Sequence, residues 1–157
     1  MNYWLMKSEP DVFGIGDLAH APRSRTLWDG VRNYQARNYL RAMRRGDRAL
    51  FYHSSCAEPG IAGIMRVVSE ATPDPTQFDP VDPHYDPKST REAPRWSVVE
   101  VEFDERFTPP VLLQQLREEE SLADLVILRR GNRLSVTPIT SLQWKYIVKL
   151  ARAYAQK

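Results

Sequence analysis

Apolar residues recur with helical spacing in the segment that follows Asn33. They occupy one face at positions i, i+3, i+4 and i+7, namely Ala36, Tyr39, Leu40 and Met43. Gly46 and Asp47 come next and are typical of a turn, so the pattern predicts an amphipathic helix that ends before them. A second face of this helix carries basic residues at i, i+4 and i+7, namely Arg37, Arg41 and Arg44.

Other segments have the composition of β-strands, namely residues 3–7, 48–55, 61–68, 95–103 and 132–137. Gly63 inside the third of these predicts a bulge or a close backbone approach. Residues 111–116 predict a short helix after Pro109 and Pro110, and a capping box at 140–143 opens a final helix. Because the elements alternate without βαβ spacing, the sequence predicts a single α+β domain over residues 1–157, with a curled mixed sheet or a small barrel.

Residues 72–88 form a long irregular segment rich in proline and aspartate. Five prolines exclude a regular element, and a loop of this length in a compact domain is usually functional or disordered. Phe78, His84 and Tyr85 give it apolar surface with which to pack back onto the domain. We therefore expect this loop to border the binding pocket and to become ordered when a ligand binds.

Composition limits the classes of function. With 42% hydrophobic residues, 27% charged residues and a net charge of +2, the chain resembles an ordinary soluble globular protein. One cysteine and three scattered histidines form no metal-ligand pattern, and phosphate-loop, dinucleotide-binding and zinc-protease motifs are absent. The sequence has neither a signal-peptide pattern nor a run of about 18 apolar residues, so we expect a cytoplasmic protein without cofactor, metal or membrane partner.

Positive charge is concentrated near the predicted central helix. Between Arg23 and Arg48 there are eight basic residues and only two acidic ones. Trp28 and Tyr34, with flat faces suited to stacking, lie in the same stretch, and this combination indicates a nucleic-acid partner. Simpler roles remain open: the arginines as a solvated helix face, Trp28 as a core residue and Asn33 as a helix N-cap.

The chain also resembles the EVE domain family, which belongs to the PUA-like superfamily, is related to the YTH readers of methylated adenine and includes the thymocyte nuclear protein group. The resemblance lies in residues 3–10, 28–38, 51–54, 85–89, 94–96, 134–138 and Trp144. It implies a PUA-like pseudo-barrel of five or six mixed strands with flanking short helices. It also implies a pocket for a modified base, with modified cytosine in DNA as the leading suggestion.

Together these observations predict a non-catalytic reader of a modified base in DNA or RNA, with one base extruded into a pocket and stacked on Trp28. The predicted base pocket comprises Lys7, Ser8, Glu9, Trp28, Val31, Asn33, Tyr34, His53 and Ser54. The predicted phosphate ligands are Arg32, Arg37, Arg41, Arg44 and Lys88. The alternative is a hydrolase of a small modified nucleoside, like the ASCH-type enzymes of the same superfamily, with Lys7 and Glu9 as base and partner.

Overall fold

The computed structural model describes the whole chain, residues 1–157. Its strands are β1 (Tyr3–Ser8), β2 (Arg25–Leu27), β3 (Arg48–His53), β4 (Gly60–Val67), β5 (Thr72–Pro73), β6 (Ser97–Val98), β7 (Glu100–Leu112) and β8 (Val136–Ile139). Its helices are α1 (Pro10–Phe13), α2 (Ile15–His20), α3 (Tyr34–Ala42), α4 (Leu113–Arg117) and α5 (Ser141–Ala155). No helix combines the length and the apolar character required to cross a membrane.

Six strands form one curled mixed sheet in the order β2-β7-β4-β3-β1-β8. The central strands β1 and β3 are parallel, and all other neighbours in this sheet are antiparallel. The short strands β5 and β6 pair separately. This architecture confirms the predicted α+β fold with a PUA-like curled sheet and short flanking helices.

The sheet separates two apolar clusters. Side chains alternate across a strand, so Trp4 and Met6 of β1 belong to a cluster of 17 buried residues, whereas Leu5 belongs to a second of 15. Helix α3 covers the first cluster through Ala36 and Leu40, and helix α5 covers the second through Trp144 and Ile147. The first cluster includes Trp28, so it lies directly beneath the cavity that Trp28 lines.

Strand β7 differs from the prediction because it continues to Leu112, through the two prolines. Val111 pairs with Ile61, whereas the preceding pair joins Arg106 to Gly63, so the intervening residues bulge out of register. Pro109 and Pro110 fall in this bulge, where no ladder hydrogen bond is required. The prediction that Val111 and Leu112 belong to a helix is therefore wrong, and α4 begins only at Leu113.

The predicted irregularity at Gly63 is confirmed. The β4 register shifts beside it, and a Cβ atom on Gly63 would lie 2.2 Å from the backbone oxygen of Glu105. The predicted capping box is also present, because the Thr140 hydroxyl accepts from the Gln143 amide while the Gln143 side chain accepts from the Thr140 amide. The last strand, β8, spans Val136–Ile139, so it begins four residues later and ends two residues later than predicted.

Candidate nucleic-acid interface

A cavity of about 540 Å³ opens where the end of β1 meets the chain that leaves β2. It is lined by Lys7, Ser8, Glu9, Val12, Phe13, Thr26, Leu27, Trp28, Asp29, Gly30 and His84. His84 comes from the proline-rich loop, which therefore borders the cavity as predicted. Four residues of the predicted base pocket, Lys7, Ser8, Glu9 and Trp28, meet here from two distant parts of the chain.

Trp28 belongs both to the core and to the cavity wall. Its ring packs edge-on against Phe51, with centroids 5.3 Å apart and planes at 83°, and only 7% of the residue is exposed. The Trp28 amide donates to the Val99 carbonyl at 2.9 Å, which fixes its backbone to the start of β7. The small exposed part lines the cavity, so Trp28 offers a rigid wall rather than a freely accessible ring.

The turn after Trp28 is held tightly by Asp74. Gly30 has a φ of +79°, a conformation that favours glycine, and its amide donates to Asp74 Oδ2 at 2.9 Å. A Cβ atom at Gly30 would also lie 2.7 Å from His84 Nε2. The backbone conformation therefore favours glycine at this position, and a larger residue would also require the His84 ring to move.

Asp74 is a fully buried carboxylate that joins the loop to the cavity. Besides the Gly30 amide it accepts hydrogen bonds from the amide and hydroxyl of Thr76 and from Arg32 Nη1. Burial alone would raise the pKa of Asp74, but the hydrogen bonds from Thr76, Gly30 and Arg32 outweigh that effect and lower it. Asp74 therefore stays ionised, and it fixes the position of the cavity wall.

Arg32 also joins the proline-rich loop to the cavity wall, and all of its N–H groups donate hydrogen bonds within the chain. Its guanidinium donates to Asp74, to Thr76, to the Val31 carbonyl and twice to the His84 carbonyl. A guanidinium carries five N–H groups, so none is left for a phosphate. The prediction of Arg32 as a phosphate ligand is therefore corrected: the residue is a structural clamp between the start of α3 and the loop.

The other predicted phosphate ligands have varied environments. Arg37 donates to the Arg95 carbonyl at 3.0 Å and lies over the Tyr34 ring, and Arg41 donates to the Ser97 hydroxyl at 3.0 Å. Arg44 lies beyond the end of α3 and forms an exposed salt bridge with Glu70. Lys88 is exposed in the loop. Their roles as phosphate ligands stay predictions.

Five residues of the predicted base pocket do not line the cavity. Val31 is buried beneath it, and Tyr34 stacks on Trp96 with centroids 4.8 Å apart. Asn33 is the N-cap of α3, since its Oδ1 accepts from the Ala36 amide at 3.0 Å. The remaining two, His53 and Ser54, lie behind the end of β1. His53 Nε2 accepts from the Ile15 amide, and the Ser54 amide donates to the Ser8 carbonyl.

Two carboxylates line the cavity without a salt bridge or hydrogen bond to another residue, those of Glu9 and Asp29. Lys7 also lines the cavity and has no salt bridge, but its Nζ lies 5.9 Å from the centroid of the Tyr52 ring, which belongs to the second cluster. Burial lowers the pKa of Lys7. Asp29 is exposed as a residue, but partial burial of its carboxyl group raises its pKa, and the charge of Asp74 raises it further. The cavity thus presents two free carboxylates to a ligand.

Several cavity residues were not identified from the sequence, namely Val12, Phe13, Thr26, Leu27, Asp29, Gly30 and His84. Asp29 and Gly30 were visible as a turn beside Trp28, but nothing in the sequence distinguished a structural aspartate from one that faces a ligand. Val12 and Leu27 are exposed apolar residues at the rim. No group of three or more His, Cys, Asp or Glu side chains is arranged to hold a metal ion.

A basic turn at residues 129–133 lies on the β1 side of the cavity. It contains Arg129, Arg130 and Arg133, all exposed, and none of them takes part in a salt bridge or a side-chain hydrogen bond. Two residues later the Ser135 carbonyl accepts from the Lys7 amide at 2.8 Å. Because two residues span at most about 7 Å, the end of this turn lies close to the strand that carries Lys7.

Comparisons with known proteins agree on one family. The sequence profile described as the EVE domain matches residues 2–150. Human thymocyte nuclear protein 1 is 45% identical over 166 residues, which cover 95% of this chain and 73% of that protein.

Two solved structures are also similar to this chain. A Pseudomonas syringae protein has a TM-score of 0.92 and 49% identity, over 95% of this chain and 99% of the other. The human THYN1 protein, solved in complex with 5-methylcytosine containing DNA, has a TM-score of 0.92 and 44% identity, over 96% and 98% of the two chains.

Proposed function

This chain belongs to the EVE domain family, and from that premise we propose that it is a non-catalytic reader of a modified base in DNA, with 5-methylcytosine as the base. The observation that carries the proposal is the cavity beside Trp28, in which charged groups without partners face an opening bordered by apolar side chains. The similarity to human THYN1, solved with 5-methylcytosine containing DNA, supports the choice of base. RNA binding and a cytoplasmic location stay predictions.

The mechanism requires one base to leave the duplex. Extrusion costs a few kcal/mol, and stacking on an aromatic side chain returns about 1–3 kcal/mol. Trp28 supplies the wall for such contact, and exposed Val12 and Leu27 at the rim can cover the apolar parts of the nucleotide. Because these terms nearly cancel, binding must also draw on phosphate contacts.

The first test compares three duplexes that differ at one position, carrying 5-methylcytosine, cytosine or thymine. We expect the 5-methylcytosine duplex to bind most tightly, since its methyl group adds apolar contact that cytosine lacks. Fluorescence anisotropy at a fixed salt concentration measures the three affinities. Equal affinity for the cytosine and 5-methylcytosine duplexes would refute the proposed preference for the modified base.

The second prediction concerns the cations that hold the phosphates. The basic turn at 129–133 has free guanidinium groups, whereas Arg37 and Arg41 already bond within the chain. We expect the double variant Arg130→Gln, Arg133→Gln to reduce the slope of log K against log salt by about 0.7–0.9 for each phosphate left without its cation. The corresponding variant Arg37→Gln, Arg41→Gln tests the helix instead. A reduced slope only in the helix variant would assign the phosphates to α3 and refute the role of the turn.

One observation favours the alternative, a hydrolase of a small modified nucleoside. Lys7 lines the cavity without a carboxylate partner, its amine lies 5.9 Å from the centroid of the Tyr52 ring, and burial lowers its pKa, as a catalytic base requires. Incubation with modified nucleosides followed by mass spectrometry distinguishes the two functions. Turnover that disappears in Lys7→Met would favour the enzyme, whereas binding without turnover favours the reader.

A further inference from the structure

A reader of 5-methylcytosine in DNA must reject thymine, which carries a methyl group at the same ring position. The two bases have nearly the same outline and both stack on an aromatic side chain, so contact with Trp28 cannot separate them. They differ at position 4, where cytosine has an amino donor and thymine has a carbonyl acceptor. They also differ at N3, which accepts a hydrogen bond in cytosine and donates one in thymine. Rejection of thymine therefore requires a polar group that reads this edge.

Asp29 has the position and the rigidity to read position 4. It follows Trp28 directly and lines the same cavity, and its carboxylate accepts no hydrogen bond from any other residue. Its backbone is held on both sides, because its own amide donates to the Leu27 carbonyl at 3.1 Å and the next amide, of Gly30, donates to Asp74. A short side chain on a fixed backbone keeps its carboxylate in one place, as selective recognition requires.

The other polar groups of the cavity are less suited to this task. The Ser8 hydroxyl donates to the Phe13 carbonyl at 2.6 Å, so it can offer a ligand only its neutral oxygen, a weaker acceptor than a carboxylate. Glu9 is exposed at the end of β1 and has a longer, more mobile side chain. Lys7 can only donate, and its ammonium group lies 5.9 Å from the centroid of the Tyr52 ring. The cavity thus contains one well-fixed carboxylate without a partner, Asp29.

We propose that Asp29 accepts a hydrogen bond from the exocyclic amino group of the extruded base, so that the cavity selects an amino base and rejects thymine. This inference rests on the proposed function and adds the group that determines its specificity. With thymine, a carbonyl would face the carboxylate, and this contact would be repulsive.

The test is the ratio of affinities for duplexes with 5-methylcytosine and with thymine at one position. We expect this ratio to be about 10- to 100-fold in the wild-type protein. It should fall to near 1 in Asp29→Asn, because an amide can either accept from the amino group or donate to the thymine carbonyl. Thermal unfolding of the variant should remain close to that of the wild type, since the Asp29 side chain has no structural partner.

Two further variants test whether the change in the affinity ratio is specific to Asp29. Asp11→Asn removes an exposed aspartate of α1 that does not line the cavity, and it should leave the ratio unchanged. If Glu9→Gln rather than Asp29→Asn abolishes the ratio, Glu9 is the reader and the inference is wrong. A wild-type protein that binds thymine as tightly as 5-methylcytosine also refutes it. Equal affinity for cytosine and 5-methylcytosine refutes only the preference for the methyl group, so the two proposals can fail independently.

Discussion

Asp74→Ala should lower the free energy of unfolding by about 3–5 kcal/mol, the usual effect of removing one partner of a buried ion pair. The Asp74 side chain is 0% exposed and Arg32 only 22%. The substitution leaves the Gly30 amide, the Thr76 amide and an Arg32 N–H without their acceptor. We expect binding of 5-methylcytosine DNA to be abolished as well, because Asp74 fixes the turn that carries Asp29. Urea unfolding and anisotropy measure the two effects.

Glu70→Ala is the matched control, because it removes a carboxylate whose salt bridge with Arg44 is exposed. Such pairs contribute about 1 kcal/mol or less, so this variant should remain close to the wild type in stability and in binding. A cost for Asp74→Ala as small as that for Glu70→Ala would contradict the role of Asp74 as the anchor of the cavity.

The stabilising effect of Asp74 should also depend on pH. Because folding lowers its pKa, the ionised form stabilises the native state at pH values above the unfolded pKa of about 3.9. This contribution is lost as the pH falls through the folded pKa. The stability difference between the wild type and Asp74→Asn should therefore be constant near neutral pH and shrink below about pH 4.

Trp28→Ala should have the second large effect, on stability as well as on binding. The ring is buried against Phe51, so its removal should cost about 3–5 kcal/mol, as expected for emptying an aromatic core site. Loss of the cavity wall should weaken binding of 5-methylcytosine DNA by about 5- to 150-fold, the equivalent of one stacking contact. Binding is measured at low temperature and normalised to the folded fraction.

Two variants separate binding from stability. Trp28→Phe keeps an aromatic wall, so it should retain more affinity than Trp28→Ala. Trp144→Ala empties an equally buried site in the other cluster, far from the cavity lining. It should lose comparable stability while its folded fraction binds normally. Binding is compared after normalisation to the folded fraction. If Trp144→Ala weakens this normalised binding as much as Trp28→Ala does, Trp28 has no special contact with the base.

Features that depend on neighbouring residues could be predicted from the amino-acid sequence. The apolar spacing from Ala36 to Leu40 identified α3, the alternation around Trp96 to Phe103 identified β-structure, and the Thr140 capping box identified the start of α5. Each of these follows from side-chain periodicity or from hydrogen bonds that span three or four residues. The family resemblance added the fold and the expectation of a base pocket.

Which polar groups are free to bind a ligand depends on contacts between residues that are distant in the sequence. The sequence predicts Arg32 as a phosphate ligand. In the structure its guanidinium instead donates to Asp74, 42 residues away in sequence, and to the carbonyl of His84, 52 residues away. In the sequence Asp29 has the character of an ordinary turn residue. In the structure its carboxylate has no partner and lines the cavity. Whether a charged side chain is satisfied depends on partners that the fold brings from distant positions. Local pattern therefore predicted the main elements of this protein but not the ends of β7, α4 and β8, and long-range pairing determined its candidate site.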